Sequence, residues 1–537
     1  MIHRIKVAPG FGEALIAVMF SRILVFKPSR SMRTMIRYLL TVFFLLLFPD
    51  LWAEPPVEIG SRLELMVDDA LIDKLSGGAH LELHHPERRE VVLVTDAPWE
   101  GNASHYRCVF RDGDIYRMYY GAYQYAEGQT HYGYSQATPH EAFTCYAESR
   151  DGIHWTRPEL GLIEFKGSTR NNILLAARSM KALSIDPGHV AVFKDPNPAC
   201  SPEAKYKAVI RSFKVSGVYA LKSPDGLHFS PIQDELLLSD GVFDSLNLAF
   251  WDTQRGEYRA YFRGWKDKFR GILTATSPDF VEWTKSKWVE FPGAPVEHIY
   301  TNQVEPYFRA PHIFVGFPMR YNDRGWVDAT DRLPDPEKRR VRAKARERFG
   351  SALTDAVFMT SRDGVAFKRW GEAFIRPGPS RSGTWAYGDN SPAWGIVTTK
   401  SSLPGAPDEL SIYATEGFWT GESLSVRRYS MRIDGFVSLN APLAGGEMVT
   451  RPMVFAGGRL QINYATSAAG GIWVELQDAD GKPLEGFSKS DCHEVFGDEI
   501  ERTVYWQAGD DVSALAGKAV RVRFVLKDAD LFSFRFR

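Results

Sequence analysis

Four stretches decide the reading of this chain: Ser149-Arg-Asp-Gly-Ile-His-Trp155, Ser223-Pro-Asp-Gly-Leu-His-Phe229, Ser277-Pro-Asp-Phe-Val-Glu-Trp283 and Ser361-Arg-Asp-Gly-Val-Ala-Phe367. A turn followed by a bulky aromatic, returning every several dozen residues, is the signature of a β-propeller. In three copies Asp-Gly supplies a tight turn between two strands, since glycine takes positive φ without penalty. Phe280 replaces that glycine in the third copy, which predicts a different turn there. The aromatic six positions after the serine is free to wedge between neighbouring sheets.

Working outward, each phrase closes a run of short strands rich in β-branched and aromatic residues. The first blade reads His105–Phe110, Tyr116–Tyr120 and Cys145–Ser149, and the second His189–Phe193 and Tyr206–Ile210. The third reads Asp244–Phe250 and Tyr258–Phe262, and the fourth Asn302–Phe308 and His312–Gly316. A fifth without the phrase is carried by Asp389–Val397 and Leu410–Ala414. An insertion in the fourth blade, roughly 322–354, contains Pro336–Phe349, which reads as a helix opened by proline with a basic, solvated face. Asp68-Asp69 is placed to close the ring from the N-terminal side. After Val437 the pattern changes to plain alternation, as in Leu460–Tyr464 and Ile472–Leu476, the mark of an antiparallel sandwich. The expectation is an all-β chain: a leader at 1–53, a five-bladed β-propeller over 54–439, and a C-terminal β-sandwich over 440–537.

The 537 residues carry 65 Lys and Arg against 66 Asp and Glu, interspersed, which argues against nucleic-acid or anionic-membrane partners. Aromatics at 13% suit blade packing and sugar stacking alike. Arg30, Arg33 and Arg37 precede the apolar run Leu39–Phe48, and Ala53 offers a small residue before a polar start. That pattern is a secretory signal, with translation starting at Met32 or Met35 as an alternative to an over-long leader. Localisation is then secreted or periplasmic, with no membrane association after cleavage. Cys108, Cys145, Cys200 and Cys492 form no ligand-like cluster, so no metal site is expected; Cys108 and Cys145 share a predicted blade and could bridge in an oxidising compartment, with isolated buried thiols the favoured reading.

The repeat phrase, the propeller strands and the appended sandwich together resemble the five-bladed glycoside hydrolases of families 32 and 43, and more closely the poorly characterised bacterial proteins labelled glycosyl hydrolase family 32-like. The likeness spans roughly 89–537. It implies three acids projecting from the innermost strands of successive blades, no organic cofactor, a carbohydrate substrate and a preference for furanosides. Asp186 in Ile185-Asp-Pro-Gly-His189 resembles the Asp-Pro strand opening of family 43, Asp244 opens the next inner strand, and Glu305 in Glu-Pro-Tyr307 resembles the acid motif. Separations of 58 and 61 residues put them on consecutive blades. Asp244 is then nucleophile, base or orienting carboxylate, Glu305 the acid, and Asp186 the third acid. Three features depart from the families: the Asn-Asp-Pro-Asn opening and the Glu-Cys acid motif of family 32 are absent, and the triad falls on blades two to four. Asp389, Asn247, Arg320, Trp99 and His105 are candidate substrate ligands. Glu148 and Glu416, internal to strands, call for pairing with arginine between blades. Two alternatives stay open: a non-catalytic glycan-binding propeller, and a glycoside phosphorylase with Arg263, Arg309 and Arg320 on phosphate.

Overall fold

A computed structural model describes residues 55–125 and 140–537; the leader read at 1–53 lies outside them. Five antiparallel sheets form the propeller. Their innermost strands are His105–Asp112, Ile185–Lys194, Leu248–Asp252, Glu305–Tyr307 and Val397–Thr399, set around a common axis. Among the described residues no helix is long and apolar enough to cross a membrane.

The repeat phrase joins the third strand of a blade to its outer strand in all four copies. In each, the serine hydroxyl donates to the aspartate at 2.9–3.0 Å and accepts the amide three residues on at 2.9 Å. The aspartate Oδ1 then accepts the next two amides at 2.8–2.9 Å. The third copy does not differ: Phe280 takes φ +68°, beside +75° at Gly152, +80° at Gly226 and +77° at Gly364. Packing explains why phenylalanine is tolerated there. A Cβ on Gly152, Gly226 or Gly364 would press on the hydroxyl of Tyr413, Tyr119 or Tyr261, each from the second strand of the preceding blade. The corresponding residue ahead of Phe280 is Val209, in Tyr206-Lys-Ala-Val209 against Tyr116-Arg-Met-Tyr119 and Tyr258-Arg-Ala-Tyr261. Where valine leaves room, the Phe280 ring fills it, fully buried against Phe193, Tyr258 and Trp283.

The fifth blade lacks the phrase for a topological reason. Its outer strand is Glu87–Val94, paired antiparallel with Ser425–Arg432, so no local turn is needed. Ring closure therefore belongs to Glu87–Val94 and not to Asp68-Asp69, whose carboxylates pair with Arg362 at 2.7 Å and Lys368 at 2.8 Å of blade four. Beyond the ring lies a ten-stranded sheet built on the long pair Leu460–Asp478 and Ala519–Phe536. It also takes in Val57–Gly60, Glu64–Leu65, Ile72–Gly77 and His80–Leu83. The expectation assigned those residues to the propeller, yet they hydrogen-bond in the C-terminal sheet, and Ile59, Met66 and Leu71 pack in its core with Ile462, Trp506 and Phe524. All four cysteines are free thiols, three of them buried.

The blade-four insertion holds the helix Pro336–Ala345, with proline in its first turn as expected. Its basic face is not wholly solvated. Arg339 and Arg342 are buried and donate to the carbonyls of Gly350, Trp385 and Trp419, satisfying chain that lacks ladder partners.

Candidate functional site

A cavity of about 490 Å³ opens at the starting ends of the inner strands. Irregular backbone shapes its wall. In the strand Ile185–Lys194 the pairing slips between Asp186 and Val190, so that Pro187-Gly188-His189 bulges towards the axis. Gly188 is required there, because a Cβ would collide with the Tyr123 hydroxyl. A second slip follows His105, and Tyr106 holds φ +53°. Such bulges at inner strand starts re-aim side chains into the funnel, and a period-two reading cannot foresee them.

Asp186 is wholly buried behind this wall. His189 Nδ1 lies 2.8 Å from its Oδ2, Arg211 donates to the same oxygen at 2.8 Å, and the Tyr123 hydroxyl and Gly188 amide donate to Oδ1 at 3.2 Å. Burial would raise the Asp186 pKa, but His189 and Arg211 outweigh it and bring it to about 2. The carboxylate thus stays charged and fixes the ring of His189, which faces the cavity. Asp244 projects into the funnel from the next blade, its side chain 54% exposed, with the Arg263 guanidinium hydrogen-bonded to it. Partial desolvation pushes its pKa up, and Arg263, His189 and Arg211 pull it below the ordinary carboxylate range. Asp186 and Asp244 accordingly share electrostatic partners around one space.

Glu305 does not line this cavity. It lies at the opposite ends of the inner strands, in a second cavity of about 460 Å³ walled by Phe110, Phe193, Phe250, Phe308 and Trp394. Strict alternation would set Glu305 apart from Phe308, but a slip between Pro306 and Tyr307 brings both to the same wall. Its Oε1 is sealed and without a hydrogen bond among the described residues, and burial pushes its pKa up to about 8.

Of the candidate ligands, His105 lines the funnel, its pKa lowered to about 3 by burial and by His189. The others do not. Asp389 is buried, accepts the amides of Phe418 at 2.7 Å and Ala386 at 3.4 Å, and is raised to about 7 by burial. Asn247 donates to the carbonyls of Phe243 and Ser245. Trp99 donates to Asn172 at 2.6 Å within blade one. Arg320 is held by Asp355 and Glu297, and Arg309 by Asp434 and Glu501, so neither joins Arg263 in the way a phosphate site would need. Glu416 has the expected arginine partners, Arg88, Arg381 and Arg427, whereas Glu148 accepts from Tyr146.

Sequence reasoning missed several wall residues. Arg270 and Trp265 come from a blade-three hairpin, and Arg346 and Arg348 from the blade-four insertion. The basic run of the insertion was a visible signal for the last two, but nothing local gave its direction.

No known family profile and no curated protein matches the chain. Solved structures are similar at low identity. An N-acetylgalactosamine deacetylase from F. plautii, in complex with blood group B trisaccharide, is 12% identical with a TM-score of 0.40, over 65% of this chain and 96% of that one. A structure from the GH130 family of mannoside phosphorylases, said to contain glycoside hydrolases that target β-1,2 mannosidic linkages in Candida mannan, is 13% identical at 0.40, over 64% and 94%. A glycosyl hydrolase from Bacteroides ovatus is 14% identical at 0.37, over 66% and 96%. None of the three is described as family 32 or 43, so that finer resemblance rests on the sequence motifs.

Proposed function

We propose that this protein hydrolyses glycosidic bonds of a carbohydrate seated in the funnel. The observation that carries the reading is the meeting, on one cavity, of the Asp244 carboxylate and of His189 held by buried Asp186. Hydrolysis needs one group to deliver a proton to the leaving oxygen and a carboxylate to attack the sugar or to take a proton from water. Asp244, accessible and kept ionised by Arg263, suits the second role. His189 suits the first: Asp186 holds the Nδ1 side of the ring, which leaves Nε2 as the nitrogen that gives and recovers the proton. Asp186 is then a positioning residue. Glu305, the acid implied by family resemblance, takes no part in this scheme because it lines the other cavity. Rings at the mouth, Trp265 above all, offer stacking surface for a sugar.

The test is release of reducing ends from a panel of furanosides and pyranosides. Asp244→Asn and His189→Gln should each lower kcat by about a hundredfold to ten-thousandfold while glycan binding persists. Wild-type protein that binds glycan but turns over no member of the panel would reject the hydrolase reading and leave a glycan-binding propeller.

A further inference from the structure

Charge in the funnel is lopsided. Among the described residues Arg211, Arg263, Arg270, Arg346 and Arg348 line it, against the one carboxylate of Asp244, with Asp186 just behind. Of these cations Arg348 has a partner, and Arg211 is matched by Asp186 and Arg263 by Asp244. Arg270 is not. It is only 9% exposed, its Nε has no hydrogen-bond partner, and no ion pair joins its guanidinium to any described residue. What holds it is three rings: Trp265 at 4.6 Å, Tyr321 at 4.7 Å and Tyr300 at 5.1 Å from the guanidinium carbon. Cation–π contact stabilises a guanidinium but satisfies none of its N–H donors. A buried charge without a hydrogen-bonded counter-ion is costly, and it persists where a ligand completes it.

The surroundings say which ligand. Arg270 pairs with Trp265 across a hairpin whose turn, Asp267-Lys268, takes φ of +51° and +68°, so the two side chains stand together at the cavity wall. Trp265 is 46% exposed there: the Arg270 guanidinium and the His298 ring cover part of the indole and leave the rest as apolar surface. A stacking face beside an unmatched guanidinium fits a sugar ring carrying an oxyanion. Arg346 adds a second cation at the rim, exposed and without an ion pair among the described residues.

We propose that the funnel selects an acidic sugar, its carboxylate or sulfate ester seated on Arg270 and its ring on Trp265. This rests on the carbohydrate reading above and names the substrate class for the same site. The planar guanidinium donates paired N–H bonds to either oxyanion, so uronate and sulfate ester are one chemistry at this residue.

The experiment is titration calorimetry of the full chain with matched pairs: oligogalacturonide against its methyl ester, and sulfated against desulfated galactan oligosaccharide. Inorganic sulfate and phosphate serve as further arms. At least one acidic member should bind more tightly than its neutral match, with affinity falling as salt rises. Arg270→Gln should weaken that binding by roughly tenfold to a hundredfold while leaving the neutral match unchanged. Because Arg270 is buried, Arg346→Gln at the rim is the second variant, expected to weaken acidic binding by about threefold without loss of fold. Equal binding of acidic and neutral partners, binding of neutral glycans alone, or binding of the inorganic ions without any acidic glycan would overturn the proposal. Acidic glycan bound but never cleaved would reject the hydrolase reading and keep this one; cleavage confined to neutral glycans would do the reverse.

Discussion

Asp244 and Glu305 begin as equivalent candidates, an acid near the start of an inner strand, and end in different environments. Asp244 keeps its charge because Arg263 grips it, while Glu305 meets mostly aromatic wall. A carboxyl raised to about 8 holds its proton in the folded state where the unfolded chain, near 4.5, has lost it. Stability should then fall as pH rises from about 4.5 to about 8, at no more than roughly 1.4 kcal/mol per pH unit from this group. Glu305→Gln should remove that slope and leave the variant more stable than wild type at pH 8. Chemical denaturation of both proteins at pH 5 and pH 8 checks it; parallel slopes would mean that Glu305 is ionised throughout. The sequence shows these acids and their spacing plainly. It does not show which end of the axis each serves, because a single residue at positive φ, such as Gln303 or Tyr106, re-aims everything after it.

Among elements, the repeat phrase is the most legible part of the fold because its bonds are local: one serine and one aspartate satisfy four amides within seven residues. What the phrase conceals is its partner in the preceding blade. Three turns set glycine against a tyrosine hydroxyl, and in the third copy, where Phe280 replaces glycine, the tyrosine's position is held by Val209 of the same core. This predicts a compensated exchange. Val209→Tyr alone should destabilise by about 1–3 kcal/mol, since a ring is driven into filled space. Phe280→Gly alone should cost about 3 kcal/mol or more from the cavity, offset in part by relief of its left-handed backbone. The double variant restores the arrangement of the other blades and should be less destabilised than the two single costs combined, by at least about 1 kcal/mol. Urea denaturation of the four proteins measures the coupling, and strict additivity would show that the two positions do not share the space. The basic insertion was legible as an element but not in direction, and the strand expected in blade three ends at Phe262, short of the funnel hairpin; tertiary packing alone aims Arg270, Arg346 and Arg348.

Across the whole molecule the chain ends work together. Residues 57–83 enter the C-terminal sheet, Glu87–Val94 completes blade five, and only then does the chain run round the ring and return. No local pattern announces such pairing, because its partners lie some 330 to 470 residues away in the sequence. The ring and the sheet meet at Glu64, fully buried, where Arg362 of the fourth repeat phrase donates at 2.9 Å and His312 Nε2 lies 3.3 Å away. Burial raises the Glu64 pKa, but His312, Arg362 and Arg62 together bring it to about 2. A carboxylate lowered in this way stabilises the fold fully above its unfolded value of 4.5 and loses that contribution as pH falls towards 2. The shift corresponds to about 3 kcal/mol at neutral pH. Glu64→Gln should therefore be less stable than wild type by about that amount at pH 7 and by about 1.4 kcal/mol, less than half of it, at pH 3. Denaturation at the two pH values decides the matter: a gap that persists undiminished in acid would mean that packing at residue 64, rather than its charge, ties the chain ends to the ring.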